Sequence, residues 1–224
     1  MSGTPVTHLA IIPDGNRRWA RARGLSVQDG HRAGVAAIDN AIRAAFDVGV
    51  EVVTFWWGSP ANLTQRAPDE VRGIVGALQE WLESRAPQLL QETQARFEAH
   101  GRIEALCPSL LPAIAHATER SGSGPRRVVL LMAYDGRDEL REAAAALAGG
   151  RAESLEAGLW TGHLPDVDLL LRSGGSAHLS AGFMLWRIAE ARLAFLDEPW
   201  PAVTTELLRR ELEHATGQAR RYGR

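Results

Sequence analysis

Short apolar runs recur along this chain, each cut off by glycine, proline or polar residues and separated from the next by a longer helical stretch. Residues 9–12, 52–57, 127–134 and 167–171 are largely apolar rather than alternating, the pattern of strands buried on both faces of a parallel sheet. Residues 95–99 and 192–196 are two further strand candidates. Helical stretches lie at 31–48, 68–92, 109–121, 137–148 and about 203–216. Pro68-Asp69-Glu70 reads as a helix start, with proline in the first turn and acids at the positive end of the dipole. This alternation predicts an α/β fold: one domain over residues 1–224, with a central, mostly parallel sheet of about six strands flanked by helices. A chain of 224 residues is long enough to bury ~70% of its unfolded surface. The one flexible run, Ser121-Gly122-Ser123-Gly124-Pro125, is too short to separate domains.

Sheets of this class bind ligands in the crevice beyond the carboxyl ends of their strands. The first apolar run ends in Ile11-Ile12-Pro13-Asp14-Gly15-Asn16-Arg17-Arg18-Trp19, which puts a carboxylate, a permissive glycine and three donor side chains at that place. Asn16, Arg17 and Arg18 suit a phosphate, and Asp14 suits a divalent metal that also touches phosphate oxygens. Residue types alone leave a second reading open, a surface turn with solvated arginines.

Composition narrows the chemistry. The net charge is −2, so no global field attracts nucleic acid, and no partner of that kind is expected. All 25 basic residues other than histidine are arginine, which excludes a lysine Schiff base or lysine general base. There is no Walker A sequence, and Gly174-Gly175 is not part of a G-x-G-x-x-G run. No apolar stretch reaches the ~20 residues of a membrane span. Cys107 is the only cysteine and the first eight residues do not read as a secretory signal, so a cytoplasmic protein is expected.

Asp14-Gly15-Asn16-x-Arg18-Trp19 is followed by Gly30-His31-Arg32-Ala33-Gly34 in a Gly-His-x-x-Gly pattern, by Arg172-Ser173-Gly174-Gly175, by Leu179-Ser180 with Phe183 to Trp186, and by Arg221-Tyr222-Gly223. Five motifs in this order resemble the cis-prenyltransferases, the undecaprenyl diphosphate synthase family, along nearly the whole chain. The resemblance implies an enzyme that joins prenyl diphosphates. It implies that Asp14 holds Mg2+ on the first diphosphate with Gly15, Asn16 and Arg18 around it, and that His31 and Asn62 flank this site. It further implies that Arg172 and Ser180 bind the second diphosphate. A homodimer follows from the same resemblance, with Arg221 and Gly223 of each tail reaching the partner's site. Two bland alternatives stand beside it: His31 as an ordinary helix-start residue and Ser180 as a helix cap.

The departures from the family pattern carry most of the information about the product. The usual Ser-x-Glu-Asn-Trp-x-Arg-Pro segment is replaced by Ser59-Pro60-Ala61-Asn62-Leu63-Thr64-Gln65-Arg66, and the arginine three positions before Gly-His is Val27. Ser176-Ala177-His178 replaces Glu-x-Arg, and Arg192 stands six residues after Trp186, where the family has a metal-binding glutamate. On this reading Arg192, with Ser176 and His178, holds the second diphosphate in place of a second cation; a register slip near Ala181-Gly182 is the alternative. Trp57, next to Trp56, stands where long-chain members have a small residue lining the product tunnel, so a short product is expected. Trp56, Trp57 and Phe55 are candidates to shield a carbocation, and His178, His31 and Ser176 are candidate bases by type. Altered second site and narrowed tunnel together favour joining two dimethylallyl diphosphates into a branched, lavandulyl-type C10 diphosphate, cyclised or not. A regular short-chain C10 or C15 synthase using isopentenyl diphosphate is the alternative, and a non-catalytic partner subunit the third.

Overall fold

The computed structural model describes residues 5–217. In chain order the elements are β1 (His8–Ile12), α1 (Asn16–Arg21), α2 (Val27–Asp47), β2 (Val52–Gly58), α3 (Pro60–Gln65), α4 (Pro68–Glu92), β3 (Arg96–His100), α5 (Ile103–Leu106), α6 (Leu111–Glu119), β4 (Arg127–Met132), α7 (Gly136–Ala148), α8 (Leu155–Gly158), β5 (Leu169–Arg172), β6 (Arg192–Phe195) and α9 (Thr205–Gly217). The six strands form one sheet in the order β3-β4-β2-β1-β5-β6, and every pairing is parallel.

Central strands are apolar on both faces because both faces are covered. In β1, Leu9 and Ile11 enter a core with α2, α4, α6 and α9, while Ala10 and Ile12 enter a second core with Tyr134, Leu164 and Phe183. Strand β6 closes one edge and keeps alternation, leaving Leu193 and Phe195 exposed.

Helix boundaries follow local chemistry. α4 starts at the expected proline with Asp69 and Glu70 in its first turn. α2 starts at Val27, four residues earlier than expected, because Ser26 and Asp29 form a reciprocal capping box. The stretch expected as one helix from 109 begins as a 3-10 turn at Pro108–Leu110 before α6. The short helices α3, α5 and α8 were not expected. α3 exists because Ser59 and Asn62 cap one another and Pro60 occupies its first turn. No helix among the described residues is long and apolar enough to cross a membrane.

His8, fully buried in β1, ties the sheet to the chain before β5. One ring nitrogen, Nδ1, lies 2.8 Å from the Pro165 carbonyl, which can only accept; Nε2 lies 2.8 Å from the Thr54 hydroxyl, which donates to it. The neutral ring satisfies both contacts. Burial is the main force that lowers its pKa to about 4. Between the ordinary value near 6.5 and about 4, the unfolded chain binds one more proton than the folded chain at this residue. Stability therefore falls as pH drops through that window, by on the order of 3 kcal/mol for a site this buried. The His8 ring signal in an NMR titration should stay that of neutral imidazole from pH 8 to 5, while the urea midpoint declines below pH 6.5. Protonation of His8 near pH 6.5 in the folded protein would contradict this account.

Candidate active site

Chain direction diverges at β1 and β5: β1 leads toward β2 on one side, β5 toward β6 on the other, so a crevice opens at their carboxyl ends. Asp14 lies two residues beyond β1, and Arg172 ends β5. Arg172 Nη2 donates to Asp14 Oδ2 at 2.8 Å, and Nη1 donates to the Ser180 hydroxyl at 2.7 Å and the His178 carbonyl at 2.6 Å. The other Asp14 oxygen accepts from the Gly15 N–H at 2.6 Å and lies 3.5 Å from Arg18 Nη2. The Asp14 N–H donates to Ser173 Oγ at 3.0 Å; the Asp14 carbonyl accepts from the Ser173 hydroxyl at 2.9 Å and the Trp200 N–H at 2.8 Å. Residues expected at two separate diphosphate sites thus form one hydrogen-bonded network, with Arg172 as the bridge.

Two glycines make this geometry possible. Gly15 turns with φ +97°, and a Cβ on it would lie 2.8 Å from Pro199. A Cβ on Gly34 would lie 2.3 Å from Asn16 Oδ1, so α2 can approach Asn16 only with glycine there.

A cavity of ≈ 390 Å³ opens over the network. Asp14, Gly15, Asn16, Arg17 and Arg18 line it from the segment after β1; His31 comes from α2, Trp56 and Trp57 from β2, Asn62 from α3, Arg172 from the end of β5 and Ser180 from the loop after it. Two further arginines, Arg21 and Arg66, also line it. Arg21 had a signal, lying one helical turn after Arg17. Arg66 is the arginine that the family motif carries one position earlier, and the chain still brings it in. Five arginines and one carboxylate, Asp14, therefore surround the cavity, a composition suited to a polyanion.

Glu70 arranges part of this charge. Its Oε1 lies 3.0 Å from Arg66 Nη1, 3.6 Å from Arg17 Nη1 and 3.7 Å from His31 Nε2. Burial, then the Arg66 charge, lowers the His31 pKa to about 4 against the opposing pull of Glu70, so the imidazole is neutral at pH 7. Asn62 uses its Oδ1 to accept from the Ser59 N–H at 3.3 Å, which leaves the amide hydrogens for the cavity it lines.

Four buried side-chain polar atoms lack a hydrogen-bond partner among the described residues: Asn16 Oδ1, His31 Nε2, Trp57 Nε1 and Arg172 Nε. All four residues line this cavity. Buried polar groups are otherwise almost always paired, so their convergence marks a place built for a ligand.

Mg2+ takes oxygen ligands and is commonly held by one or two carboxylates plus substrate phosphates. A single partly exposed carboxylate, Asp14, in a cavity suited to a diphosphate fits that donor set.

Other expected residues are placed elsewhere. Ser176 and His178 do not line the cavity; His178 is exposed and offers Arg172 only its carbonyl. Arg192 pairs in register with Leu169 at the start of β6, whereas Arg172 pairs with Phe195 at its end. Three residues of strand, ~10 Å, separate the two positions along the sheet, and Arg192 does not line this chain's cavity. Trp56 also lines the cavity, but it packs on the core opposite the one that holds Trp57, and its Nε1 donates to the Tyr134 carbonyl at 3.2 Å. Phe55 is core, edge-on to Trp200 with centroids 6.1 Å apart, and does not line the cavity. Arg221 and Gly223 lie outside the described residues.

A family model described as "Putative undecaprenyl diphosphate synthase" matches residues 12–223. The isoprenyl transferase of Rhizobium meliloti is 35% identical over 96% of this chain and 91% of that protein. The bifunctional protein CrtB/UppS of Streptomyces coelicolor is 34% identical over 96% of this chain, which spans 40% of that longer protein's length. Lavandulyl diphosphate synthase from Lavandula x intermedia, solved in complex with dimethylallyl diphosphate, superposes with a TM-score of 0.90 at 30% identity, covering 98% of each chain. The chain belongs to the undecaprenyl diphosphate synthase family of cis-prenyltransferases, and it is a prenyltransferase.

Proposed function

We propose that this chain joins two molecules of dimethylallyl diphosphate into a branched, lavandulyl-type C10 diphosphate. The observation that carries this reading is the cavity itself: five arginines in its lining and an apolar lining limited to Ile12, Pro13, Trp56, Trp57 and Ile74. That arrangement holds more anion than one diphosphate requires and offers little room for a long hydrocarbon. Likeness to lavandulyl diphosphate synthase over 98% of both chains adds support.

In the proposed reaction the C1–O bond of one allylic diphosphate breaks and its electron pair leaves with the diphosphate. The double bond of the second unit attacks C1, and the resulting cation loses a proton. The leaving group gains negative charge, so stabilising it is the largest task of the site. Mg2+, held by Asp14, would neutralise diphosphate oxygens when bound. Arg17, Arg18 and Arg66 orient the donor diphosphate from one side; Arg172 and Ser180 hold the acceptor's from the other. Asn62 supplies amide donors between them. Of the three candidate bases only His31 lines the cavity, and its neutral ring has a lone pair to accept the final proton.

The second reading is a regular short-chain synthase using isopentenyl diphosphate. It is favoured by the isoprenyl transferase of Rhizobium meliloti, which is more similar in sequence than the lavandulyl enzyme. Incubation with dimethylallyl diphosphate alone should give a branched C10 diphosphate; product only when isopentenyl diphosphate is added would establish the second reading, and none in either mixture defeats both. Asp14→Asn keeps a hydrogen-bond acceptor but removes the charge, and should lower turnover about 100-fold or more. Near-normal turnover by the folded variant would remove Asp14 from the metal role.

Trp57→Ala tests the length limit. The variant should accept geranyl diphosphate or release a longer product, since removing an indole opens volume at the apolar end of the cavity. An unchanged starter and product range in a folded variant would make Trp57 simple core.

The chain is further proposed to pair as a homodimer. Leu193 and Phe195, 49% and 37% exposed on edge strand β6, adjoin a segment carrying exposed Leu185 and Trp186, an apolar surface that a second copy would cover. Sedimentation at low micromolar concentration should give twice the chain mass, and Phe195→Glu should shift it toward one chain. A wild-type monomer under those conditions rules the pairing out.

A further inference from the structure

Strand β3 forms the other edge of the sheet and pairs only with β4. Side chains two apart share a face, so Glu98 and His100 stand together there. A third residue, His163, reaches the same spot from the loop after α8. Its Nε2 lies 2.7 Å from Glu98 Oε2, and His100 Nε2 lies 3.3 Å from the same oxygen. The two rings meet edge to face with centroids 5.6 Å apart. The remaining carboxylate oxygen, Glu98 Oε1, faces Arg127 Nη1 of β4 at 3.5 Å. One donor atom from each of the three residues lies within 4.8 Å of the other two.

None of these residues lines the diphosphate cavity. Two imidazoles and a carboxylate form a donor set for Zn2+ and similar borderline ions, with a position left for water; Mg2+ prefers oxygen alone. In tetrahedral zinc sites with bonds near 2.0–2.1 Å, ligand atoms stand ~3.3 Å apart, the separation His100 and Glu98 already have. Arg127 occupies one Glu98 oxygen and leaves Oε2 to the imidazoles, so it acts as an outer partner that orients the carboxylate. Burial pushes the Glu98 carboxyl up, but the two histidines outweigh it and hold it at about 2. His163 is 42% exposed, which leaves an entry path from solvent.

The loop that presents His163 is anchored before any ion arrives. Thr161 donates to Glu139 Oε1 from both its N–H and its hydroxyl at 2.8 Å, and Arg187 donates to the Thr161 carbonyl at 3.3 Å. We propose that Glu98, His100 and His163 bind one zinc-like divalent ion, which ties this loop to the exposed edge strand β3.

Chelator-stripped protein titrated with ZnCl2 in a calorimeter tests this, with CoCl2 as a spectroscopic probe. Expected are one Zn2+ per chain, a Co2+ absorption of low-coordinate nitrogen and oxygen ligation, and no competition from millimolar Mg2+. His163→Ala and Glu98→Gln should each weaken Zn2+ binding beyond the ~10–100-fold typical of outer-shell changes, and Asp14→Asn should leave it unchanged. Zn2+ should raise the melting temperature of wild type but not of His163→Ala. A wild-type chain that binds no Zn2+, binding that survives both ligand substitutions, or binding abolished by Asp14→Asn would each overturn the site and leave a metal-free histidine–carboxylate cluster.

Discussion

Arg172 is 6% exposed, yet it carries a permanent charge at the end of β5. A guanidinium buried to that degree needs an anionic partner, and leaving it without one costs on the order of 3–5 kcal/mol. Asp14 supplies that partner from the segment after β1, 158 residues away in sequence. Arg172 Nη1 fixes the loop after β5 through the Ser180 hydroxyl and the His178 carbonyl. Ser173 and Trp200 then hold the Asp14 backbone. One ion pair therefore sets the crevice, the approach of the chain before α9 and the direction of the Asp14 carboxylate. Asp14 itself is about one-third exposed, so one side of the pair remains open to a ligand.

The charge around that pair is local. The whole chain carries −2, while five arginines converge on one cavity. Crowded guanidinium groups repel, and Glu70 relieves this by standing between Arg17 and Arg66. It does so without joining the lining, so it does not compete with an incoming anion. His31 sits in the same field, and with burial this removes its proton. The site thus presents fixed cations and a neutral ring side by side, a distinction that residue type alone does not make.

The fold was legible because its strands are buried on both faces: a continuous apolar run such as 9–12 has few other places to lie. The network partners Asp14, Arg172 and Ser180 were legible through their motifs. What the sequence hid depended on turns of one or two residues. Arg66 enters the cavity because α3 ends just before it, and α3 exists through the Ser59–Asn62 capping box, which was read only as a broken motif. The paired indoles at 56 and 57 looked like one feature, but they pack on opposite cores. Arg192 opens β6, where the strand candidate at 192–196 puts it, but a motif count along the chain does not show that this is the end of the strand away from Arg172.

The remaining question is why Trp57 meets the cavity at all. Pairing between β2 and β4 advances from Trp56–Leu131 to Gly58–Met132, so Trp57 is an extra residue in its strand. Such bulges bend a strand and re-aim one side chain, and they gather beside active sites. This one lies where β2 leaves the core and α3 begins. It leaves the indole Nε1 buried without an acceptor, an arrangement that costs about 1–3 kcal/mol. A chain packing for stability alone gains nothing from that donor. On the proposed function the donor has a use, because a diphosphate in the cavity that Trp57 lines would supply the acceptor that the described residues do not.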